Sequence, residues 1–315
     1  TATVIGTSAV SNVAIHFAIS GGPITETNST SFTIGAPPSQ FTQGDLAAIQ
    51  VDTTAANSTF SVIEIKPSVE GQTIPVNINP ITATGTNALR MGGGGAGHLA
   101  LSDDGTFLVF GAFDDDSSAT ADETFNLNRA VGTMNYTNGF TKTGKYVSNS
   151  FGGSAVRAAC SPDNIDFLID DKGGLYVYNS GNGVSDNVYE YNNYCVRSFG
   201  GSAWSLTQKV VANLPSPAVF QFNNGTIGQL DYYNSGYDGP WNTTSATPPT
   251  DGNAVDFYMI STNGTQEPGS FGILYIIDNS AGADGASAVI NKFSRNADDS
   301  WNAIGSWTNS ANANT

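Results

Sequence analysis

Beyond residue 44 the chain is written almost entirely in short stretches that alternate apolar and polar residues, with a glycine- or aspartate-centred turn after each. Almost nowhere does the 3.6-residue spacing of a helix emerge, so the periodicity is that of half-buried strands joined by tight turns. GDLAAIQVD (44–52) and STFSVIEIKPS (58–68) read as two such strands. GHLALSDDGTFLVFGAF (97–113) follows as strand, SDDG turn, strand. RAACSPDNIDFLIDDKGGLYVYN (157–179) repeats that logic with an SPDN turn and a third strand after DDKGG.

Two recurrences suggest modular units. The phrase SFGGSA occurs at Ser150 and again at Ser198, 48 residues later, and the Ser-x-Asp turns begin at Ser102 and Ser161, 59 residues apart. Double glycines, Gly93–Gly94 and Gly152–Gly153, precede both turns at a similar distance. Units of about 45–60 residues that hold several strands and no helix are the pattern of propeller blades. The expected fold is therefore all-β: a single β-propeller of five to seven blades over residues 41–315. A pair of β-sandwiches is the alternative.

GDLAAIQVD…FSVIEI, GHLALSDDGTFLVFGAF and the closing INKFSRNADDSWNAIGSW resemble secreted β-propeller proteins, in which a serine–acid–glycine turn leads into a hydrophobic strand. The resemblance spans about Gly44 to Trp307 and is generic. It implies an exported, disc-shaped scaffold and brings no catalytic residue set with it.

Residues 1–40 stand apart as a strand arm or hairpin followed by a proline linker. Val13, Ile15, Phe17 and Ile19 alternate with smaller or polar residues, as a half-buried strand would. Pro37 and Pro38 interrupt pairing in IGAPPSQ. A free alternating strand of this kind can complete the sheet edge of a neighbouring copy.

Charge narrows the partners. The chain has 27 acidic against 11 basic residues, a formal net charge of −16. A field of that sign repels nucleic acid and anionic membrane surfaces. No apolar run approaches the ~18 residues of a membrane helix, so membrane insertion is not expected. Copies of itself, extracellular glycans and cations remain as partners, and the expected location is secreted or cell-surface. Thr1 in place of Met reads as a processed or trimmed N-terminus. Cys160 and Cys195 would pair in an exported protein and close a loop of about 35 residues, worth roughly 4 kcal/mol in the loop-entropy model. In a cytosolic one they would be two buried thiols. The sequence reading favours the disulfide.

Candidate sites are few. Tyr176, Tyr178, Tyr189 and Tyr191 form one aromatic group, and Tyr232, Tyr233, Tyr237 and Trp241 form another. Flat rings beside amides suit sugar stacking or a protein interface, and cross-strand packing explains them equally well. FDDDSSATADE (113–123) sets Asp114, Asp116, Ser118 and Asp122 at even spacing, as oxygen ligands stand in calcium loops. Ala119 and Phe125 occupy places where an EF-hand has its glycine and its bidentate glutamate. Asp278 and Asp284 form a second acidic loop, so Ca²⁺ is the one cofactor expected. His98 and Glu190 are the weak catalytic candidates, a base near a blade entrance and a carboxylate between tyrosines. Arg129, Arg157 and Arg197 are better explained by pairing with aspartates than by binding acidic sugars. The leading reading is a non-enzymatic extracellular scaffold that self-assembles through Val13, Ile15, Phe17 and Ile19. A carbohydrate-binding or polysaccharide-cleaving propeller is the alternative.

Overall fold

The structure is a computed structural model. It describes 41–136 apart from 54, 73–74, 93–95 and 119–125, then 139–146, 156–171, 174–179, 184–189, 193–207, 218–226, 229–232, 254–263, 271–278, 289–297 and 301–308, with short strand backbones in 1–40. The described residues are strands, turns and connecting segments, as alternation and turn chemistry predict.

The strands form successive antiparallel meanders in chain order. The first sheet holds β5 (Leu46–Val51), β6 (Phe60–Ile65) and β7 (Asn77–Pro80). The second runs β8 (Ala100–Leu101), β9 (Phe107–Phe113), β10 (Arg129–Asn135), β11 (Phe140–Tyr146). The third runs β12 (Val156–Cys160), β13 (Asp166–Asp171), β14 (Gly174–Asn179), β15 (Val184–Tyr189). The fourth runs β16 (Asn193–Phe199), β17 (Ser202–Thr207), β18 (Ala218–Thr226), β19 (Gln229–Tyr232). The last runs β20 (Ala254–Ser261), β21 (Phe271–Asp278), β22 (Val289–Arg295), β23 (Trp301–Thr308).

Within each of these sheets every strand pairs with its chain neighbour. A two-sheet sandwich of Greek-key type instead sends connections from one sheet to the other, so this topology removes the sandwich alternative. Opening strands of different sheets meet: β12 touches β8 and β16, β8 touches β16, and β16 touches β20. First strands gathered together, with later strands running outward, make the blade arrangement of a propeller.

Faces of neighbouring sheets make the core. Phe60, Val62, Leu89 and Phe110 join the first sheet to the second. Val109, Val131, Val156, Ile169 and Tyr176 join the second to the third. Leu168, Val196, Trp204, Phe257 and Leu274 belong to a larger cluster across the remaining sheets. Sheets two and three approach so closely that a Cβ on Gly111 would lie 2.8 Å from Val156 Cγ1 and 3.0 Å from the Ala158 carbonyl oxygen. That glycine is required by the approach of two strands rather than by a turn.

The two recurrences turn out to differ. The Ser-x-Asp turns are structurally equivalent, since each joins the first two strands of a sheet. Gly105 and Asn164, each three residues after its serine, both have positive φ, 72° and 63°. The turns also touch: Asp103 N–H donates to Ser161 O at 3.1 Å, and Asn164 Nδ2 donates to Asp104 Oδ2. For SFGGSA the structure describes one copy. The copy at Ser198 is the β16–β17 hairpin, with Gly200 and Gly201 both at positive φ as a type I′ turn needs. The copy at Ser150 lies between β11 and β12 in sequence, outside the described residues.

In the arm, β1 (Val10–Val13) pairs antiparallel with β4 (Phe32–Ile34), and β2 (His16–Phe17) with β3 (Thr27–Asn28). Val13 lies opposite Phe32 and Phe17 opposite Thr27, so the segment holds paired strands rather than one free strand. Ile15 and Ile19 lie outside the described residues.

Candidate functional site

The densest polar cluster sits where the opening strands meet. Asp256 of β20 is its centre. Arg197 of β16 donates Nε to Asp256 Oδ1 at 2.9 Å and Nη2 to Oδ2 at 2.7 Å, a bidentate fork, while its Nη1 reaches Leu99 O at 3.0 Å. Cys195 Sγ donates to Asp256 Oδ1 at 3.1 Å, and Phe257 N–H donates to the same oxygen at 2.8 Å. His98 Nδ1 stands 3.5 Å from Oδ2, with the His98 N–H fixed on Arg157 O at 3.1 Å. One carboxylate ties the fourth sheet and the last sheet to the segment that leads into β8.

The electrostatics follow from that geometry. Burial pushes Asp256 toward protonation, but the His98 hydrogen bond and the Arg197 guanidinium outweigh it and hold the carboxyl well below the ordinary range. Burial likewise opposes the charge on Arg197, yet Cys195 and Asp256 beside it keep it more firmly protonated than a free guanidinium. Desolvation and the Asp256 charge push the Cys195 thiol far up, so it is present as S–H and not as a nucleophile.

His98, Cys195 and Asp256 bring one ligand-type atom each within 4.8 Å of one another, the one such triad among the described residues. Its chemistry does not suit a metal. Arg197 already occupies both Asp256 oxygens, and a cation would share the site with a permanent positive charge. The cluster is a charge-paired knot. His98 is placed by it as a buttress of Asp256.

Arg129 and Arg197 pair with aspartates, though with partners remote in sequence. Arg129 Nε meets Asp171 Oδ2 at 3.1 Å with both side chains fully buried, its guanidinium 5.2 Å from the Phe113 ring centroid. Asp170, next to it on β13, is fully buried with neither carboxyl oxygen hydrogen-bonded among the described residues. Burial raises its pKa well above the usual value despite the nearby charge of Arg157.

Cys160 and Cys195 are two separate buried thiols and not the expected disulfide. Each is enclosed in the same apolar cluster, and the Cys195 sulfur is committed to Asp256. Burial pushes the Cys160 thiol up to about 12. Tyr176 is core, packed between the second and third sheets. The backbones of Tyr178, Tyr189 and Tyr232 lie in β14, β15 and β19, while their side chains, with Tyr191, Tyr233, Tyr237, Trp241 and Glu190, lie outside the described residues. Asp114 is turned to Lys142 Nζ at 2.7 Å, and Asp116 and Ser118 are exposed beside it. Asp122, Asp284 and the Asp278 side chain lie outside the described residues. Asn57, a sequon asparagine, is buried and donates to Asp115 Oδ2 at 2.6 Å.

A cleft of about 780 Å³ opens beside the knot. Thr42–Ala47 line one side, Tyr258 the other, with Leu101, Tyr136 and Arg197 between them. Sequence reasoning missed Asp256 and Tyr258. The signal was present in VDFYMIS, where an acid and an aromatic ring fall two apart on one face of an alternating strand.

No protein-family model matches the chain, and no curated protein matches it. Solved structures with some likeness include a nidogen–laminin complex (TM-score 0.38, 9% identity, 80% of this chain and 86% of that one). An oligogalacturonate lyase from Vibrio parahaemolyticus gives a TM-score of 0.37 at 8% identity over 91% and 95% of the two chains. A eukaryotic initiation factor gives 0.28 at 8% identity over 88% and 70%. Likenesses this distant bring no activity to this chain. The class is set by its own topology: an all-β protein of blade-like meanders around a polar knot.

Proposed function

We propose that the protein is a non-enzymatic extracellular scaffold that assembles with copies of itself. One observation carries the reading: the last sheet buries a single face. Phe257, Met259, Leu274, Ile276 and Phe293 are buried, whereas the opposite face leaves Tyr258 49%, Ile260 43%, Ile290 41% and Trp307 51% exposed. An apolar sheet face of this kind marks an interaction surface. A second copy is the occupant favoured, because the first sheet also carries open apolar residues, Leu46 at 57% and Ile78 at 47%. Complementary faces at the two ends of one series of sheets suit head-to-tail association. The polar knot supports a structural role, since its carboxylate, guanidinium and thiol are used on one another.

Sedimentation velocity over a concentration series tests this. The expected result is a concentration-dependent rise above monomer mass, abolished by the pair Ile290→Asp and Trp307→Asp. A wild-type protein that stays monomeric throughout overturns the reading.

Glycan binding is the second reading, favoured by Tyr136 and Tyr258, two exposed rings in the 780 Å³ cleft beside Gln43 and Asp45. Binding of neutral oligosaccharides that is lost in Tyr258→Ala, with no assembly, would replace the first reading by this one.

A further inference from the structure

The 780 Å³ cleft adjoins a smaller recess of about 130 Å³ beside the Ser102 turn. Leu101, Arg197 and Tyr258 line both. The charged residues of the combined lining are Asp45, Asp103 and Arg197. Arg197 brings no net charge, because Asp256 holds its Nε and Nη2 while its Nη1 is spent on Leu99 O. Asp45 and Asp103 differ from it. Both are half-buried, and among the described residues neither carboxylate takes part in a hydrogen bond or an ion pair.

Backbone hydrogen bonds fix both acids in place. Asp45 N–H donates to Thr42 O at 3.1 Å, and Thr42 N–H donates to Glu64 Oε1 at 2.7 Å, which pins that turn against the first sheet. Asp103 N–H donates to Ser161 O at 3.1 Å, and Gly105 N–H closes the SDDG turn on Ser102 O at 2.9 Å. Carboxylates held this way lose little freedom when a partner arrives. Leu99, Leu101, Leu108 and Met134 supply an apolar lining. Two tyrosine rings stand open in it, Tyr136 at 64% and Tyr258 at 49%. The Tyr258 ring meets Phe199 edge-on at 5.3 Å and already receives the Arg197 guanidinium at 6.0 Å.

Two carboxylates without counter-charge in one cleft concentrate cations, and the net charge of −16 adds to that field. A compact inorganic cation uses none of the apolar lining, and an apolar ligand leaves both carboxylates unpaired. An aliphatic chain that carries ammonium groups satisfies both features. Its methylenes lie against leucine and methionine, while each ammonium donates to a carboxylate and packs on a tyrosine ring. We infer that the cleft and its recess form a binding site for an aliphatic polyamine, with ammonium groups at Asp45 and Asp103 and the methylene chain along the apolar lining. The site goes beyond the assembly reading and does not depend on it.

Isothermal titration of the full-length protein with spermidine tests the inference, with a diol of matching length as the uncharged control. The expected result is saturable binding that weakens as salt is added and is absent for the diol. Asp45→Asn and Asp103→Asn keep the side-chain shape and should each weaken binding about 3–10-fold. Tyr258→Ala should weaken it as well. Glu70→Gln, which removes an exposed acid outside the cleft, should leave it unchanged. Absence of saturable binding overturns the inference. Equal weakening by Glu70→Gln and Asp103→Asn also overturns it, since the polyamine is then held by overall charge alone. Binding of a neutral oligosaccharide but not of spermidine overturns it and leaves the glycan reading standing.

Discussion

Arg197 on β16 grips both carboxylate oxygens of Asp256 on β20, Nε to Oδ1 at 2.9 Å and Nη2 to Oδ2 at 2.7 Å. The two side chains are 15% and 19% exposed, so the fork is nearly dry, and it is braced by Cys195, His98 and the Phe257 N–H. Removing one partner strands the other charge. Asp256→Ala should cost about 3–5 kcal/mol, measured by chemical denaturation, because Arg197 is left without its counter-charge. Asp256→Asn, which keeps the shape and loses the charge, should fall between wild type and alanine.

The same pair sets an acid limit. The folded-state pKa of Asp256 lies below the unfolded value, so its contribution is complete above ~pH 4 and is lost as pH falls toward the folded value. Asp104 acts in the same direction. Burial pushes it up, but hydrogen bonds from Thr106, Ser102 and Asn164 outweigh that and bring it down to about 2. Stability measured from pH 7 to pH 2 should therefore decline mainly below ~pH 4, and the decline should be shallower in Asp256→Asn.

Asp170 has the opposite sign. Its folded pKa is raised by burial, so ionisation opposes folding, and its contribution worsens as pH rises from the unfolded value of ~3.9 toward the folded one. Asp170→Asn should raise the denaturation midpoint at pH 7 and leave it nearly unchanged at pH 3. A midpoint lowered at both pH values would show that Asp170 holds its neighbours by charge.

Gly111 stands where β9 meets the third sheet. Gly111→Ala places a methyl 2.8 Å from Val156 and 3.1 Å from Ile169, and one of the contacts is backbone, the Ala158 carbonyl oxygen at 3.0 Å. The expected loss is about 1–3 kcal/mol, as for other overpacked cores. Val156→Ala in the same chain should recover part of it.

Thiol counting separates the two states open to the cysteines. Native protein should show no reactive thiol to an aromatic disulfide reagent, because both sulfurs are buried with raised pKa values. Unfolding without reductant should release two. A count of zero after unfolding would mean a disulfide.

Local chemistry made much of the fold legible in the sequence. Alternation marks a strand wherever one face is buried, so the stretches at 44–52, 58–68 and 97–113 could be placed without any partner in view. The SDDG and SPDN turns could be matched because a side-chain oxygen binding backbone two or three residues on is a local event. Asp104 and Asp163 do this at equivalent places in the two turns, each accepting the N–H two residues on, and the 59-residue spacing carries through to contact between the turns. SFGGSA is legible only in part, for a related reason. Six residues specify a hairpin at Ser198 through two glycines at positive φ, but they do not specify where in a sheet that hairpin falls.

What the sequence determined alone was the class of protein: an acidic, all-β chain of short strands and tight turns. Backbone propensity, turn geometry and net charge are local or summed properties, readable without coordinates. Tertiary structure alone decided the site. Asp256 finds Arg197 59 residues away and Arg129 finds Asp171 42 residues away. Free cysteines, a dry ion pair and an open cleft all depend on which sheet faces which, and that is a consequence of packing. No run of residues in VRSF or VDFY records that its arginine and its aspartate will meet.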